Sequence, residues 1–197
     1  DQAALWHCLR DGTLAVISSD HAPNRFDDAH GKKVVGEDAP FSAIPNGLPG
    51  LETRLPILFS EGVVKGRIDL QRFVALTATN PARLFGLAPR KGTIAVGADA
   101  DLAIWDPSRK VVIRNADLHH GVDYTPYEGL EVTGWPETTL SRGIMVCDHG
   151  RITGQPGHGR FLPRDRYEEI RPAGRFVTPF DPVTGRLVDQ TPGTPRG

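Results

Sequence analysis

The stretch that decides the fold class reads Asp11-Gly-Thr-Leu-Ala-Val-Ile-Ser-Ser-Asp20-His21-Ala-Pro23. Residues 14–17 form a short apolar run that ends in polar residues, which is typical of a strand buried on both faces of a parallel sheet. Residues 1–10 carry apolar side chains at helical spacing and predict a helix before that strand. Because a helix followed by a buried strand is half of an α/β repeat, the sequence predicts an α/β fold.

Residues 21–50 form a long polar loop, and loops of this length are usually functional or mobile. Further helices are predicted after it. Apolar periodicity predicts one helix at 51–62 and a second beginning after residue 69. The residues expected to shape these helices are Pro56 as a kink, Asp69 and Asn80 as N-caps, Pro81 as a first helical residue and Gly86 as an end.

The pattern changes from Gly92 onward to short β-like segments separated by turn residues. Such spacing is typical of a small β-sandwich-like unit. The predicted strands are 93–96, 101–105, 110–114 and 138–146. Residues 155–197 hold seven Pro and six Gly, so we expect a loop-rich tail there.

Composition excludes several classes of protein. The 197 residues carry 23 basic and 24 acidic side chains, a net charge of −1, which gives no electrostatic basis for binding nucleic acid or an anionic membrane. No apolar run approaches the ~20 residues that span a bilayer, and no signal peptide is visible. The two cysteines, Cys8 and Cys147, are far apart in sequence, so we expect no disulfide framework and a reducing, cytoplasmic location.

Asp20 is the first candidate functional residue, because it follows the predicted buried strand. In parallel α/β barrels the carboxyl ends of the strands hold the active site. A carboxylate there can bind a metal ion and can take and return a proton. Spacing alone leaves a second interpretation equally open, in which Asp20 caps the following turn. His21 is a weaker candidate, since a His beside an Asp is more often a loop residue.

The second candidate is the segment Ile44-Pro-Asn46-Gly47-Leu-Pro-Gly50-Leu-Glu52-Thr-Arg54. Backbone groups in a turn shaped by Pro and Gly can read the N–H and C=O groups of a ligand, although such a cluster is most often a turn and nothing more. The other histidines predict no site, because His119 and His120 are adjacent and would point to opposite faces of a strand. Nucleotide-binding and serine-hydrolase motifs are not found in the sequence.

Taken in order, these segments resemble the C-terminal part of the cyclic amidohydrolases, the D-hydantoinases and dihydropyrimidinases. The resemblance runs from about residue 5 to residue 164. Its most specific elements are the IPNG turn at 44–47 and the YTPYEG block at 124–129. The other matching segments are SDH at 19–21, GLETR at 50–54, TNPAR at 79–83, FGL at 85–87, KGTIAVGADAD at 91–101, GWP at 134–136 and RG at 142–143.

The resemblance implies a (β/α)8 barrel with an attached β-sandwich. In that fold residues 11–20 would be the last barrel strand and the helices up to residue 87 would close the barrel. The implied domains are 1–90 as the last βα unit with its substrate loop and closing helices, and 91–154 as part of the C-terminal β-sandwich. Residues 155–197 would be a tail that packs on a neighbouring subunit.

The resemblance also implies a reaction. The family opens a cyclic amide with hydroxide held between two divalent metal ions, usually zinc. Asp20 matches the aspartate that binds one metal and shuttles the proton, and Asn46 matches the residue whose backbone contacts the substrate. The implied partners are a small cyclic amide and, in the parent protein, further subunits in a dimer or tetramer.

The family's other metal ligands would lie upstream of residue 1, so we expect a fragment that is inactive alone, in keeping with its start at Asp1 rather than Met. A non-catalytic dihydropyrimidinase-like scaffold protein and an allantoinase stay open as alternatives. The loop between His21 and Ile44 is slightly longer than usual and would alter substrate preference.

Overall fold

The computed structural model describes residues 1–27 and 29–164, which belong to one compact unit, Asp1–Asp165. Helices occupy the first half of this unit and an antiparallel sheet the second. Of the predicted tail at 155–197, residues 155–164 contain no helix or strand, and the rest lies outside the described residues.

The first helix, α1, spans Gln2–Asp11 and confirms the prediction for residues 1–10. It ends where Gly12 takes the left-handed conformation, with φ of 102°. A residue without a Cβ adopts that conformation at little cost, and the Gly12 N–H then bonds to the Cys8 carbonyl at 3.3 Å.

The helix predicted at 51–62 is also present, as α2 at Leu51–Leu58 followed by a π-helical turn at Phe59–Val64. Pro56 is buried inside α2 and lacks the N–H that a regular helix uses. The wider turn begins three residues after it and places Phe59 in the core.

The next helical segment consists of α3 at Leu70–Val74, a π-helical turn at Ala75–Thr79 and α4 at Asn80–Leu84. The predicted cap at Asp69 is confirmed, since its carboxylate accepts the Arg72 N–H at 2.6 Å. The predicted cap at Asn80 is wrong. Asn80 has helical dihedral angles, and its side chain donates to the Ala15 carbonyl at 2.7 Å.

The predicted strand at 14–17 does not form in the structure. A strand needs a neighbour for its backbone hydrogen bonds, and the described residues supply none beside this segment. Side chains bind its carbonyl groups instead: Arg72 at Leu14, Asn80 at Ala15 and Arg54 at Ile17. The segment is therefore extended and irregular, with Leu14 39% exposed.

Four strands form a single antiparallel sheet in the order β1–β2–β3–β4, at Leu102–Val112, Glu131–Ser141, Ile144–Asp148 and Arg151–Ile152. The strands predicted at 101–105 and 110–114 are one strand, β1, interrupted by two irregularities in register. The strand predicted at 93–96 is absent, and Ile94 there is 87% exposed. The described residues form this one sheet, and its membership of a β-sandwich stays a prediction.

The prediction of one continuous strand at 138–146 is wrong, because a reverse turn divides the segment between β2 and β3. Arg142 and Gly143 both have positive φ, 47° and 79°, which matches the twist of a two-residue hairpin turn. The chain therefore reverses between β2 and β3. The start of β2 was missed because Gly134 and Pro136 both disfavour a strand in sequence.

Helices and sheet share one core, built around three aromatic rings. Phe59 and Trp105 stack with centroids 5.2 Å apart, and Phe73 meets both rings edge-on, at 5.5 Å from Phe59 and 5.8 Å from Trp105. Leu76 beside them is fully buried. Because Trp105 belongs to β1 and the other residues to helical segments, this core attaches the sheet to the helices. The division into domains at 1–90 and 91–154 stays a prediction.

Candidate functional site

Asp20 stands at the end of the extended segment in a conformation that non-glycine residues adopt rarely. Its φ is 45°, and the residue is exposed. Asp tolerates the left-handed region better than most residues, yet the conformation still costs free energy and is concentrated at functional sites. Within the described part of the chain, no hydrogen bond or ion pair engages its carboxylate. The chain therefore presents a carboxylate open to a ligand.

The segment that follows Asp20 pairs with the IPNG turn. His21 and Leu48 form a parallel β-bridge, and the Ala22 N–H donates to the Leu48 carbonyl at 3.1 Å. Gly47, with φ of 101°, lies so close that an added Cβ would fall 2.4 Å from the Ala22 Cβ. The fold thus brings together the two segments that sequence analysis singled out separately.

Asn46 presents an exposed side chain, and its backbone carbonyl is already engaged. The Asn24 side-chain amide donates to that carbonyl. The carbonyl before it, that of Pro45, accepts from Lys32 Nζ at 2.6 Å. Two consecutive carbonyl groups of the turn are therefore oriented by side chains from the preceding loop. The catalytic and metal-binding role of Asp20 and the substrate-binding role of Asn46 stay predictions.

His21 has a structural role that sequence reasoning missed. Its Nδ1 accepts the backbone N–H groups of Gly50 and Leu51, at 3.1 and 3.2 Å, at the start of α2. The first N–H groups of a helix have no partner within the helix, so the imidazole acts as the cap. His21 lies about thirty positions before the start of α2, and no local sequence signal connects the histidine with the helix that it caps.

A second feature missed from sequence is the contact between His119 and Glu52. The His119 backbone N–H donates to Glu52 Oε2 and Nδ1 lies 2.8 Å from Oε1, while Nε2 lies 2.9 Å from the Gly150 carbonyl. Both ring nitrogens face acceptors, which favours the doubly protonated imidazolium. Hydrogen bonding to Glu52, which outweighs the opposing desolvation, raises the pKa of His119 above its usual range.

His120 does not join its neighbour, since its Nε2 contacts the Asn115 side-chain oxygen at 2.8 Å. A cavity of about 310 Å³ lies between the start of α2 and the loop of these histidines. The polar residues that line it are His21, Glu52, Thr53, His119, His120 and Thr125. No group of three or more His, Cys, Asp or Glu side chains among residues 1–27 and 29–164 is arranged to hold a metal ion.

Arg54 supports the extended segment before Asp20. Its Nη1 donates to the Ile17 carbonyl at 2.7 Å, while its buried Nε has no hydrogen-bond partner in the described part of the chain. Burial lowers the pKa of Arg54 from its usual range. A cavity of about 670 Å³ runs beside this residue and is lined by Ile17, Ser18, Ser19, Leu58, Glu61 and Tyr127, among others.

No helix in the described residues has both the length and the apolar character needed to cross a bilayer.

Comparison with known proteins places this architecture in a family. The chain is 46% identical over 169 residues to the D-hydantoinase of Ralstonia pickettii, covering 86% of this chain and 36% of that protein. A solved structure of a D-hydantoinase superposes with a TM-score of 0.80 at 47% identity, over 85% of this chain and 35% of that one. The solved structure of the dihydropyrimidinase from Brevibacillus agri superposes with a TM-score of 0.78 at 45% identity, over 83% of this chain and 34% of that one.

The chain thus spans about a third of the length of the relatives it matches. A family model described as "Amidohydrolase family" matches residues 1–146, which is well over half of the chain. The helices, the extended segment ending at Asp20 and the first two strands fall within that match, which ends inside β3. The chain therefore belongs to the amidohydrolase family, in its D-hydantoinase and dihydropyrimidinase branch.

Proposed function

We propose that this chain is the C-terminal part of a longer, metal-dependent hydrolase that opens cyclic amides, hydantoins or dihydropyrimidines, at a ring C–N bond. The observation that carries the proposal is the pairing of the segment after Asp20 with the Asn46 turn. The kinship with proteins named D-hydantoinase and dihydropyrimidinase supports the class of substrate.

In this proposal Asp20 moves the proton of the reaction. Water adds to the ring carbonyl carbon, the C–N bond breaks, and the Asp20 carboxylate takes a proton from the water and returns it to the ring nitrogen. The exposed carboxylate, held at a φ of 45° and without a hydrogen-bond partner among residues 1–27 and 29–164, supports this role.

Asp20 would also be this chain's contribution to the metal centre. Carboxylate oxygens suit divalent ions, so the donor fits the proposed group. Two divalent ions, zinc in our proposal, would activate water and polarise the ring carbonyl when bound. Since the described residues hold no cluster of three or more ligands, the other ligands would come from the rest of the parent protein. This chain alone would be inactive.

Asn46 would recognise the substrate through its backbone. A cyclic amide presents a C=O acceptor beside an N–H donor, and the groups of a fixed turn can match both. The shaping of this turn by Gly47, Asn24 and Lys32 supports that function.

We extend the proposal to the parent protein's setting: a cytoplasmic homo-oligomer, tetramer or dimer, that acts on a small molecule and binds neither nucleic acid nor membrane. The balanced charge of −1 supports the last part.

Metal content and ring opening test the proposal together. We would analyse this chain and the parent protein by elemental analysis, and assay a 5-substituted hydantoin and dihydrouracil. We expect about two metal ions per parent chain, none on this chain alone, and ring opening by the parent. Asp20→Asn should keep the fold, since Asn also tolerates positive φ, but should lower both metal content and turnover. Asp38→Asn, at an exposed loop carboxylate, is the matched control.

Three outcomes would contradict the proposal. A parent protein that binds no metal and opens no ring would favour the scaffold alternative, and preference for allantoin would favour an allantoinase. Tight metal binding by this chain alone would show that our account of the ligands is wrong.

A further inference from the structure

Two neighbouring carbonyl groups of the IPNG turn are bound by two side chains of one loop. Lys32 Nζ donates to the Pro45 carbonyl at 2.6 Å, in a partly buried contact. The Asn24 amide donates to the Asn46 carbonyl. We call this pair of contacts the carbonyl clamp. Because a hydrogen bond is directional, two donors on successive carbonyls fix the orientation of the two peptide groups that flank Asn46.

The loop that carries the clamp is itself tightly folded. The Lys32 N–H donates to the Arg25 carbonyl at 2.9 Å, and the Asp27 carboxylate accepts the His30 N–H at 2.9 Å. Gly31 lies against this turn, where a Cβ would fall 2.4 Å from the Arg25 carbonyl oxygen. The positions of Asn24 and Lys32 are therefore coupled, and displacing one end of the loop displaces the donors.

The loop is anchored to the segment that carries the YTPYEG block. Asp123 Oδ1 accepts the Phe26 N–H at 2.8 Å, across 97 positions of sequence. The Phe26 ring lies 5.5 Å from that of Tyr124, and Lys33 Nζ sits 4.7 Å from the Phe26 ring centroid. The hydrogen bond from Phe26 holds the pKa of Asp123 below its usual range, so the anchor is ionised at neutral pH.

We propose that Asn24, Lys32 and Asp123 are positioning residues that fix the Asn46 backbone for binding the cyclic amide. The inference rests on the proposed function of the site. A substrate whose amide meets a backbone carbonyl needs that carbonyl in one orientation, and a misplacement of about 1 Å can cost about 100-fold in rate. Asp123 acts at a distance, through its hydrogen bond to the Phe26 N–H in the loop.

The first test reads the Asn46 carbonyl directly, without any activity measurement. Asn-Gly occurs once in this chain, at 46–47, so ¹³C-carbonyl Asn combined with ¹⁵N-Gly labels a single peptide bond. We expect its carbonyl resonance to move in Asn24→Ala, Lys32→Met and Asp123→Ala. Asp123→Asn keeps a carbonyl oxygen as acceptor and should retain most of the wild-type shift. Lys110→Met, at an exposed lysine of β1, is the control and should leave the resonance unchanged.

The second test is kinetic and uses the parent protein. Loss of a contact that holds the substrate-binding backbone should raise KM about tenfold and change kcat less, with metal content unaltered. Lys32→Arg, which keeps a donor, should restore part of the loss. A purely structural role would lower the amount of folded enzyme and leave KM unchanged.

The two tests separate the possible failures. A carbonyl resonance insensitive to all three substitutions would overturn the clamp. Wild-type KM values in an active parent would overturn the positioning role. The carbonyl resonance could depend on Asp123 while the parent protein opens no ring. That result would overturn the proposed function and the substrate role of the clamp. The coupling between the loop and the turn would stand.

Discussion

Gly47 lies against Ala22 so closely that there is no room for a side chain: a Cβ on Gly47 would fall 2.4 Å from the Ala22 Cβ and 2.7 Å from the Ala22 carbonyl oxygen. This contact joins the segment after Asp20 to the turn that presents Asn46. Gly47 also has φ of 101°, so both the backbone conformation and the available space require glycine.

Replacing Gly47 by Ala should therefore push the turn away from Ala22. We expect the free energy of unfolding to fall by about 1–3 kcal/mol, from overpacking and backbone strain together. Urea denaturation of this chain measures it. Gly36 has φ of 86°, and an added Cβ there would meet nothing within 4 Å. Gly36→Ala therefore introduces the backbone strain without a steric clash and should lower the free energy of unfolding by less. Equal losses at the two positions would contradict the packing argument.

The contact between His119 and Glu52 predicts a pH-dependent stability. The raised pKa of His119 means that the folded chain binds the proton more tightly than the unfolded chain does. The stabilisation is therefore complete below the unfolded value, about 6.5, and is lost as pH rises through the higher folded value. Since the His119 side chain is 40% exposed, we expect an effect of less than about 1 kcal/mol.

The measurement is urea unfolding between pH 5 and 9, with an NMR titration of His119. Glu52→Gln should remove the charge partner and return the His119 pKa toward its ordinary range. His30→Gln, at an exposed histidine of the long loop, serves as control and should leave the pH profile unchanged. A His119 pKa that does not fall in Glu52→Gln would refute the assignment.

Gly134→Ala should be one of the more damaging single substitutions in the sheet. A Cβ on Gly134 would lie 2.3 Å from Phe59 Cδ1, and Gly134 has φ of 93°. Phe59 has little freedom to move, because it stacks on Trp105 in the core. We expect a loss of about 2–3 kcal/mol in the free energy of unfolding.

Two further glycines make this prediction specific. Gly129→Ala places a side chain at φ of 79° in open space, and Gly121→Ala places one in open space without positive φ. The expected order of loss is Gly134, then Gly129, then Gly121. A change of less than about 0.5 kcal/mol at Gly134 would show that Phe59 can move after all.

Helices were predictable where the signal is local. The Asp69 cap depends on an N–H three residues away, and α1 on an apolar stripe within ten residues. Asn80 shows the limit of that reasoning. Its sequence context is that of a cap, yet the preceding helix continues through it, and its side chain binds the Ala15 carbonyl 65 positions away.

Strand predictions failed where hydrogen bonding to a neighbouring strand, and not residue composition, decides whether a strand forms. Residues 14–17 have the composition of a buried strand, but no strand in the described residues lies beside them. Residues 138–146 look continuous in sequence, but Arg142 and Gly143 turn the chain back. A strand is stable only with its partner, and sequence periodicity carries no information about which partner is present.

The sequence by itself determined the family, the helices and the two candidate segments around Asp20 and Asn46, because these depend on residue types at short spacing. Tertiary structure alone decided what those segments touch. Asn24 reaches Asn46 across 22 positions, and Glu52 reaches His119 across 67. The physical reason is that such hydrogen bonds form only after the chain has folded around its core, so the donor and the acceptor leave no pattern in the sequence between them.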